Sequence, residues 1–141
     1  MSSPDSAESA ALVTEWRALL ARHAATTCAL DRELGERHGL GMSDFEVLER
    51  LAEAPAEVGA KLRVQELADK VHLSQSALSR LVGRLEKAGL IERVMCDLDR
   101  RGIYVSLSPL GRDRYEAARP LQREVLARML TRSQVEESSC G

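Results

Sequence analysis

The chain has 141 residues, 44% hydrophobic and 30% charged, with a formal net charge of -2. That is enough sequence for one domain with a buried core, and a core built mostly of Leu, Val and Ala, since Trp16, Phe45, Tyr104 and Tyr115 are its only aromatic residues. No run approaches the roughly 20 apolar residues of a membrane span, the N-terminus lacks the basic and apolar regions of a signal peptide, and Cys28, Cys96 and Cys140 are too scattered for a zinc site or a disulfide framework; the expectation is a cytoplasmic protein.

Residues 1–9 are small, polar and acidic and read as disordered. From Ala10 to about Arg37, Leu12, Trp16, Leu19, Leu20, His23, Ala24, Thr27, Leu30 and Leu34 recur with helical period. A helix of about 28 residues is roughly 40 Å long. That is more than a small domain can cover, so a partner chain is expected along it. His38-Gly39-Leu40-Gly41 breaks the helix. Ser43-Asp44-Phe45-Glu46 reads as a capping box opening a second helix to about Ala54, with Phe45, Leu48 and Leu51 facing the core. Pro55 to Ala60 is a linker, and Leu62-Arg63 a short strand.

Val64 to Val71 reads as a short helix with Val64, Leu67, Ala68 and Val71 on one side, and His72-Leu73 turns the chain into Ser74. Ser74 suits a helix N-cap and Gly89 a left-handed helix end. Between them Ala77, Leu78, Leu81, Val82, Leu85 and Ala88 form an apolar stripe. The opposite face carries Gln75, Ser76, Ser79, Arg80, Gly83 and Arg84, with no acid before Glu86. Short hydroxyls and Arg suit a DNA major groove, where they reach phosphates and base edges; the alternative is an ordinary solvated face. Leu90–Met95 and Ile103–Leu107 are β-prone runs around a polar tip, a hairpin. A helix-turn-helix followed by such a hairpin is a winged helix, giving a mainly α fold with a small β-wing. Ser108-Pro109 restarts a helix carrying Leu110, Tyr115, Ala118, Leu121, Val125, Leu126, Met129 and Leu130, and Pro120 within it should kink or split it.

Charge is segregated: residues 1–60 carry -6, 61–101 carry +3 and 102–141 carry +1. A basic middle suits an electrostatic DNA footprint, although the excess is small and the helix–wing pattern is the stronger signal.

The segments LADKVHLSQSALSRLVGRLEKAGLIER and DRRGIYVSLSPLG resemble the MarR-type transcriptional regulators, over roughly residues 10–130. The family's wing signature, Asp-x-Arg, five residues, Leu-Thr, two residues, Gly, stands here as Asp99, Arg101, Leu107, Ser108 and Gly111, with Ser for Thr. Two positions depart from the family pattern: Ala77 stands where Thr is usual, and Cys96-Asp97-Leu98 where Asp-Pro-Arg is common. The resemblance implies a winged-helix region over 43–108 and dimerisation helices over 10–40 and 109–141. It implies a ligand-responsive repressor acting as a homodimer on a pseudo-palindromic double-stranded operator. The groove-facing set is then Ser74, Gln75, Ser76, Ser79, Arg80 and Arg84, with Arg84 the base reader and Ser74 and Ser76 on phosphates. At the wing, Arg101 enters the minor groove, Asp99 orients it, and Arg93 and Arg100 meet phosphates. A small aromatic or phenolic effector would sit between the two regions, with Trp16, Leu20, His23 and Phe45 as candidate lining residues. Leu130 to Glu137 resembles the start of the family's last helix.

Cys96, beside the wing, is a candidate redox site, because oxidation there adds bulk or charge next to DNA; Cys28 reads as a small core or interface residue. A redox-responsive regulator of the same fold and a winged-helix protein–protein module are the alternatives. His23, His38 and His72 form no metal set, and no nucleophile triad or phosphate loop supports catalysis. The sequence calls for no cofactor beyond the effector.

Overall fold

The computed structural model describes residues 6–56, 59–95 and 103–139. Its elements follow in the order α1 (Ser6–His38), α2 (Met42–Ala52), β1 (Lys61–Arg63), α3 (Val64–Val71), α4 (Gln75–Lys87), β2 (Ile91–Met95), β3 (Ile103–Leu107) and α5 (Pro109–Ser139). This is the expected mainly α architecture with a three-stranded antiparallel sheet, in strand order β1-β3-β2. Leu62 pairs with Val105 and Ile91 with Leu107, so Leu62, Val105 and Ile91 point to one face and are buried there.

Helix α2 is the centre of the core. Phe45, Val47, Leu48 and Leu51 are buried on it, in one cluster with Leu34 and Leu40 from α1 and its exit, Leu67 from α3, Leu78, Val82 and Leu85 from α4, and Ala118, Leu121 and Val125 from α5. Phe45 and Tyr115, two of the four aromatics, meet with ring centroids 5.4 Å apart. The Tyr115 hydroxyl donates to Glu49 Oε2 at 2.9 Å, and Arg123 completes the pairing of that buried carboxylate at 2.8 Å, so α2 and α5 share a satisfied polar contact inside the core. Burial and the adjoining Glu49 carboxylate push the Tyr115 hydroxyl above its ordinary pKa.

Four local expectations change. Helix α1 begins at Ser6, so residues 6–9, expected to be disordered, form its first turns, where Glu8 complements the helix dipole. Helix α2 opens at Met42 with Gly41 as its cap. Ser43 is therefore inside the helix, and the free N–H groups of Gly41 and Met42 are taken by Asp44 and by Asp31 of α1, each at 2.7 Å. Helix α5 runs through Pro120 without ending. Pro120 is exposed, so the carbonyl it leaves unpaired one turn back faces water rather than a dry core. Leu130 to Glu137 continues α5 instead of starting a separate last helix.

Candidate DNA-reading helix and effector cavity

Helix α3 ends at His72, which takes a left-handed conformation at φ 58 and lets the chain reverse into α4. Ser74 caps α4 as its sequence suggests, its Oγ accepting the Ala77 N–H at 3.2 Å. Gly89 closes the helix at φ +80. Leu78, Leu81, Val82 and Leu85 are buried, which turns the other face outward: Ser74, Gln75, Ser76, Ser79, Arg80 and Arg84 are all exposed. The structure thus brings the six predicted groove residues onto one surface. Two of them are already engaged: the Ser74 hydroxyl serves its own cap, and Arg84 Nη2 donates to Asp44 Oδ1 at 2.5 Å. Arg93 on β2 is exposed and pairs with Glu86 at 3.0 Å, tying the end of α4 to the sheet. Asp99, Arg100, Arg101 and Cys96 lie outside the described residues. Cys28 is exposed on α1.

The other half of the wing signature has a structural role. Ser108 Oγ donates to the Gly89 carbonyl at 2.6 Å and accepts the Gly111 N–H at 2.9 Å, and the Ser108 N–H donates to the Leu90 carbonyl at 3.1 Å. A Cβ on Gly111 would lie 1.9 Å from that same carbonyl oxygen. Ser108 and Gly111 therefore lock the start of α5 onto the junction between α4 and β2.

Sequence reasoning missed a basic, aromatic cluster at the sheet. Arg63 Nε donates to the Tyr104 hydroxyl at 2.9 Å, and Lys61 Nζ sits 4.8 Å from the Tyr104 ring centroid. The signal was the i, i+2 spacing of Lys61 and Arg63, which a strand puts on one face.

A cavity of about 640 Å³ opens between α1, α2, the α3–α4 turn and α5. Its walls are apolar at Leu19, Leu30, Met42, Val71, Leu73, Leu126 and Leu130 and polar at Thr26, Thr27, Ser43 and Gln122. Arg22, Arg50 and Lys70 stand around it with His23 and His72, against one acid, Glu46. Burial, reinforced by Glu49, holds the Glu46 carboxyl above its ordinary pKa, despite Arg50 nearby. Of the four predicted lining residues only His23 reaches this cavity. Trp16 and Leu20 lie further along α1 and are 58% and 46% exposed, and Phe45 is sealed in the core. The missed lining positions follow helical spacing, Thr26, Thr27 and Leu30 one or two turns from His23 on α1, and Met42, Ser43, Glu46 and Arg50 on α2.

A capped recognition-type helix, the short helix before it and a three-stranded wing sheet define a winged helix-turn-helix protein. Residues 38–102 match the MarR family. The fold is similar to that of Sco3205, a MarR family transcriptional regulator from Streptomyces coelicolor solved in complex with DNA, with a TM-score of 0.78 and 28% identity over 93% of this chain and 78% of that one. It is similar also to AbsC, another MarR family transcriptional regulator of that organism, with a TM-score of 0.75 and 29% identity over 92% and 82% of the two chains. NadR, solved in complex with 4-hydroxyphenylacetate, shares the fold at a TM-score of 0.58, with 24% identity over 87% and 78%. No match is found among curated proteins. The chain thus resembles the MarR-family transcriptional regulators, in sequence over residues 38–102 and in fold over most of its length. Among the described residues no helix is long and apolar enough to cross a membrane, and no cluster of His, Cys, Asp or Glu could hold a metal ion.

Proposed function

We propose that the protein represses transcription as a homodimer whose two α4 helices enter successive major grooves of a pseudo-palindromic operator. The observation that carries this reading is the outer face of α4, six polar and basic side chains exposed together opposite the buried Leu78, Leu81, Val82 and Leu85. At the wing, whose tip lies outside the described residues, Arg101 is the proposed minor-groove contact, Asp99 its positioning residue and Arg100 a phosphate contact. Ser76, Arg80 and Arg93 suit phosphates, and Arg84 a base edge. The exposed Leu12, Trp16, Leu19 and Leu20 of α1 support a self-complementary interface with a second copy.

The effector is a small, largely apolar organic anion. The cavity supports this by chemistry: leucine walls, hydroxyl groups from Thr26, Thr27 and Ser43, and a surplus of cationic side chains over the single acid. Its walls come from both the long helices and the winged helix, so a ligand that favours one arrangement of the two shifts the spacing of the paired α4 helices.

The test is selection of duplexes from a random library by the purified chain at moderate salt. Recovery of a palindrome with half-sites about 10 bp apart is the expected result. Enrichment of no motif, with only salt-sensitive bulk binding left, overturns it. Hydroxylated aromatic acids added to the recovered complex should then release the duplex, and release by none of them removes the effector from the reading.

A further inference from the structure

The Arg84 guanidinium meets an acid that lies 40 positions earlier in the chain. Asp44 Oδ1 takes Arg84 Nη2 while Asp44 Oδ2 accepts the Gly41 N–H at 2.7 Å, so one carboxylate ties α4 to the opening turn of α2. Asp31 of α1 holds the same turn through the Met42 N–H. A Cβ on Gly41 would lie 3.3 Å from Asp44 Oδ2 and 3.4 Å from Asp31 Oδ1, so two carboxylates from different elements flank the Gly41–Met42 turn. The anchor is thus fixed from α1 and α2 together.

The pair is asymmetric in exposure. The Asp44 side chain is 11% exposed and that of Arg84 67%. The acid is the nearly buried member, and the arginine is the exposed one, on the outer face of α4. A guanidinium has five donors in a planar fork. The carboxylate engages one terminal nitrogen of a side chain that is otherwise largely exposed. Freezing a free arginine costs side-chain entropy on binding; here the carboxylate has restricted the rotamer before any partner arrives.

We propose that Asp44 is the positioning residue for DNA reading. It fixes the Arg84 fork from beneath, so that discrimination between duplexes depends on an acid of α2 that makes no DNA contact itself. This rests on the reading of α4 as the groove-facing helix. Simple electrostatics argues the opposite result, because removing an acid near DNA strengthens binding to every duplex alike. The two predictions differ in kind.

The experiment uses the full chain as wild type, Asp44→Asn, Arg84→Gln and the double variant, each titrated at one salt concentration with the selected palindrome and a composition-matched scrambled duplex. Asp44→Asn keeps an amide oxygen for the Gly41 N–H and removes the charge that holds Arg84. Each single variant should reduce the ratio of the two affinities about tenfold, the order expected for a misplaced bidentate contact. The double variant should lose no more than either single one. Equal tightening on both duplexes by Asp44→Asn, an unchanged ratio, or losses that multiply in the double variant each overturn the proposal. Should Asp44→Asn fail to fold, the wild type answers directly by nitrogen-15 NMR: separate, slowly rotating Arg84 Nη signals that persist when the palindrome is added support it, and averaged signals in either state overturn it. A wild type with no preference between duplexes overturns the DNA-reading assignment along with the proposal, whereas a preference that Asp44→Asn retains in full overturns the proposal alone.

Discussion

Single side chains at the ends of elements hold much of this fold, and they make sharp predictions. Ser108 is buried and bonds both to Gly89 and to Gly111. Ser108→Ala removes a cap and a satisfied buried hydroxyl, and should cost about 1–2 kcal/mol in urea unfolding. Gly111→Ala is the harsher change: its methyl group meets backbone, 1.9 Å from the Leu90 oxygen, which cannot rotate away. The expected loss is roughly 3 kcal/mol or more, and a smaller loss than for Ser108→Ala would show that the junction yields. Glu46 gives a pH prediction. Its carboxyl is held above the ordinary value of 4.5, chiefly by burial. A carboxyl raised in the folded state binds its proton more tightly there, so its ionisation subtracts stability as pH rises from 4.5 through the raised value. Glu46→Gln should therefore melt higher than wild type at pH 7, with the gap closing below about pH 4.5. The same variant removes the one acid lining the cavity and should tighten the binding of an organic anion at pH 7.

At the scale of elements, the recognition helix carries an unexplained weakness. Gly83 lies within α4 on the side assigned to DNA, and a Cβ there would meet nothing within 4 Å. A helical glycine costs about 1 kcal/mol against alanine, and nothing inside the protein requires it. Gly83→Ala should raise stability by about that amount, and should weaken duplex binding severalfold if the helix backbone approaches DNA closely; gained stability with unchanged affinity puts Gly83 away from the duplex. The helix itself was legible in the sequence. Its cap, its closing glycine, its stripe and its outward face are all local features, and Ser74, Gly89, Leu78 and Arg80 stand where periodicity put them. The third strand of the wing was legible for the same reason. What was not legible is tertiary. Ser43 has the spacing of a cap, but Asp31, eleven residues before Met42, and Asp44 take the free N–H groups. Arg84 has the look of a free base reader, but its partner is on another helix. Trp16, Leu20, His23 and Phe45 share a helical or aromatic character, yet period alone does not say whether a residue faces core, cavity or partner, and the structure sends them to different places.

The whole molecule is left incomplete by its own first helix. Helix α1 has 33 residues, about 50 Å, and its buried residues, Thr26, Ala29, Leu30 and Leu34, all lie in its second half. The first half carries Leu12, Trp16, Leu19 and Leu20 on its surface, with Leu130 of α5 exposed as well. Apolar side chains at four- and eight-residue steps make an exposed stripe, which supports the proposed interface. A second copy is the partner with the same stripe to offer, which also fits the need for two reading helices on one duplex. In sedimentation the wild type should therefore run at twice the 15.5 kDa of one chain. Trp16→Arg combined with Leu20→Arg should run as a monomer, because two cations cannot be buried at the centre of an apolar seam without partners. The winged helix should stay folded, since neither residue belongs to its core. On a palindromic duplex this monomer loses the effective concentration that joins its two heads, and affinity should fall by about 10²–10⁴ while binding to an isolated half-site hardly changes. Equal losses on half-site and palindrome would instead mean that the substitutions damaged the reading head. A double variant that still sediments as a dimer would move the interface off this stripe and leave α1 without its partner.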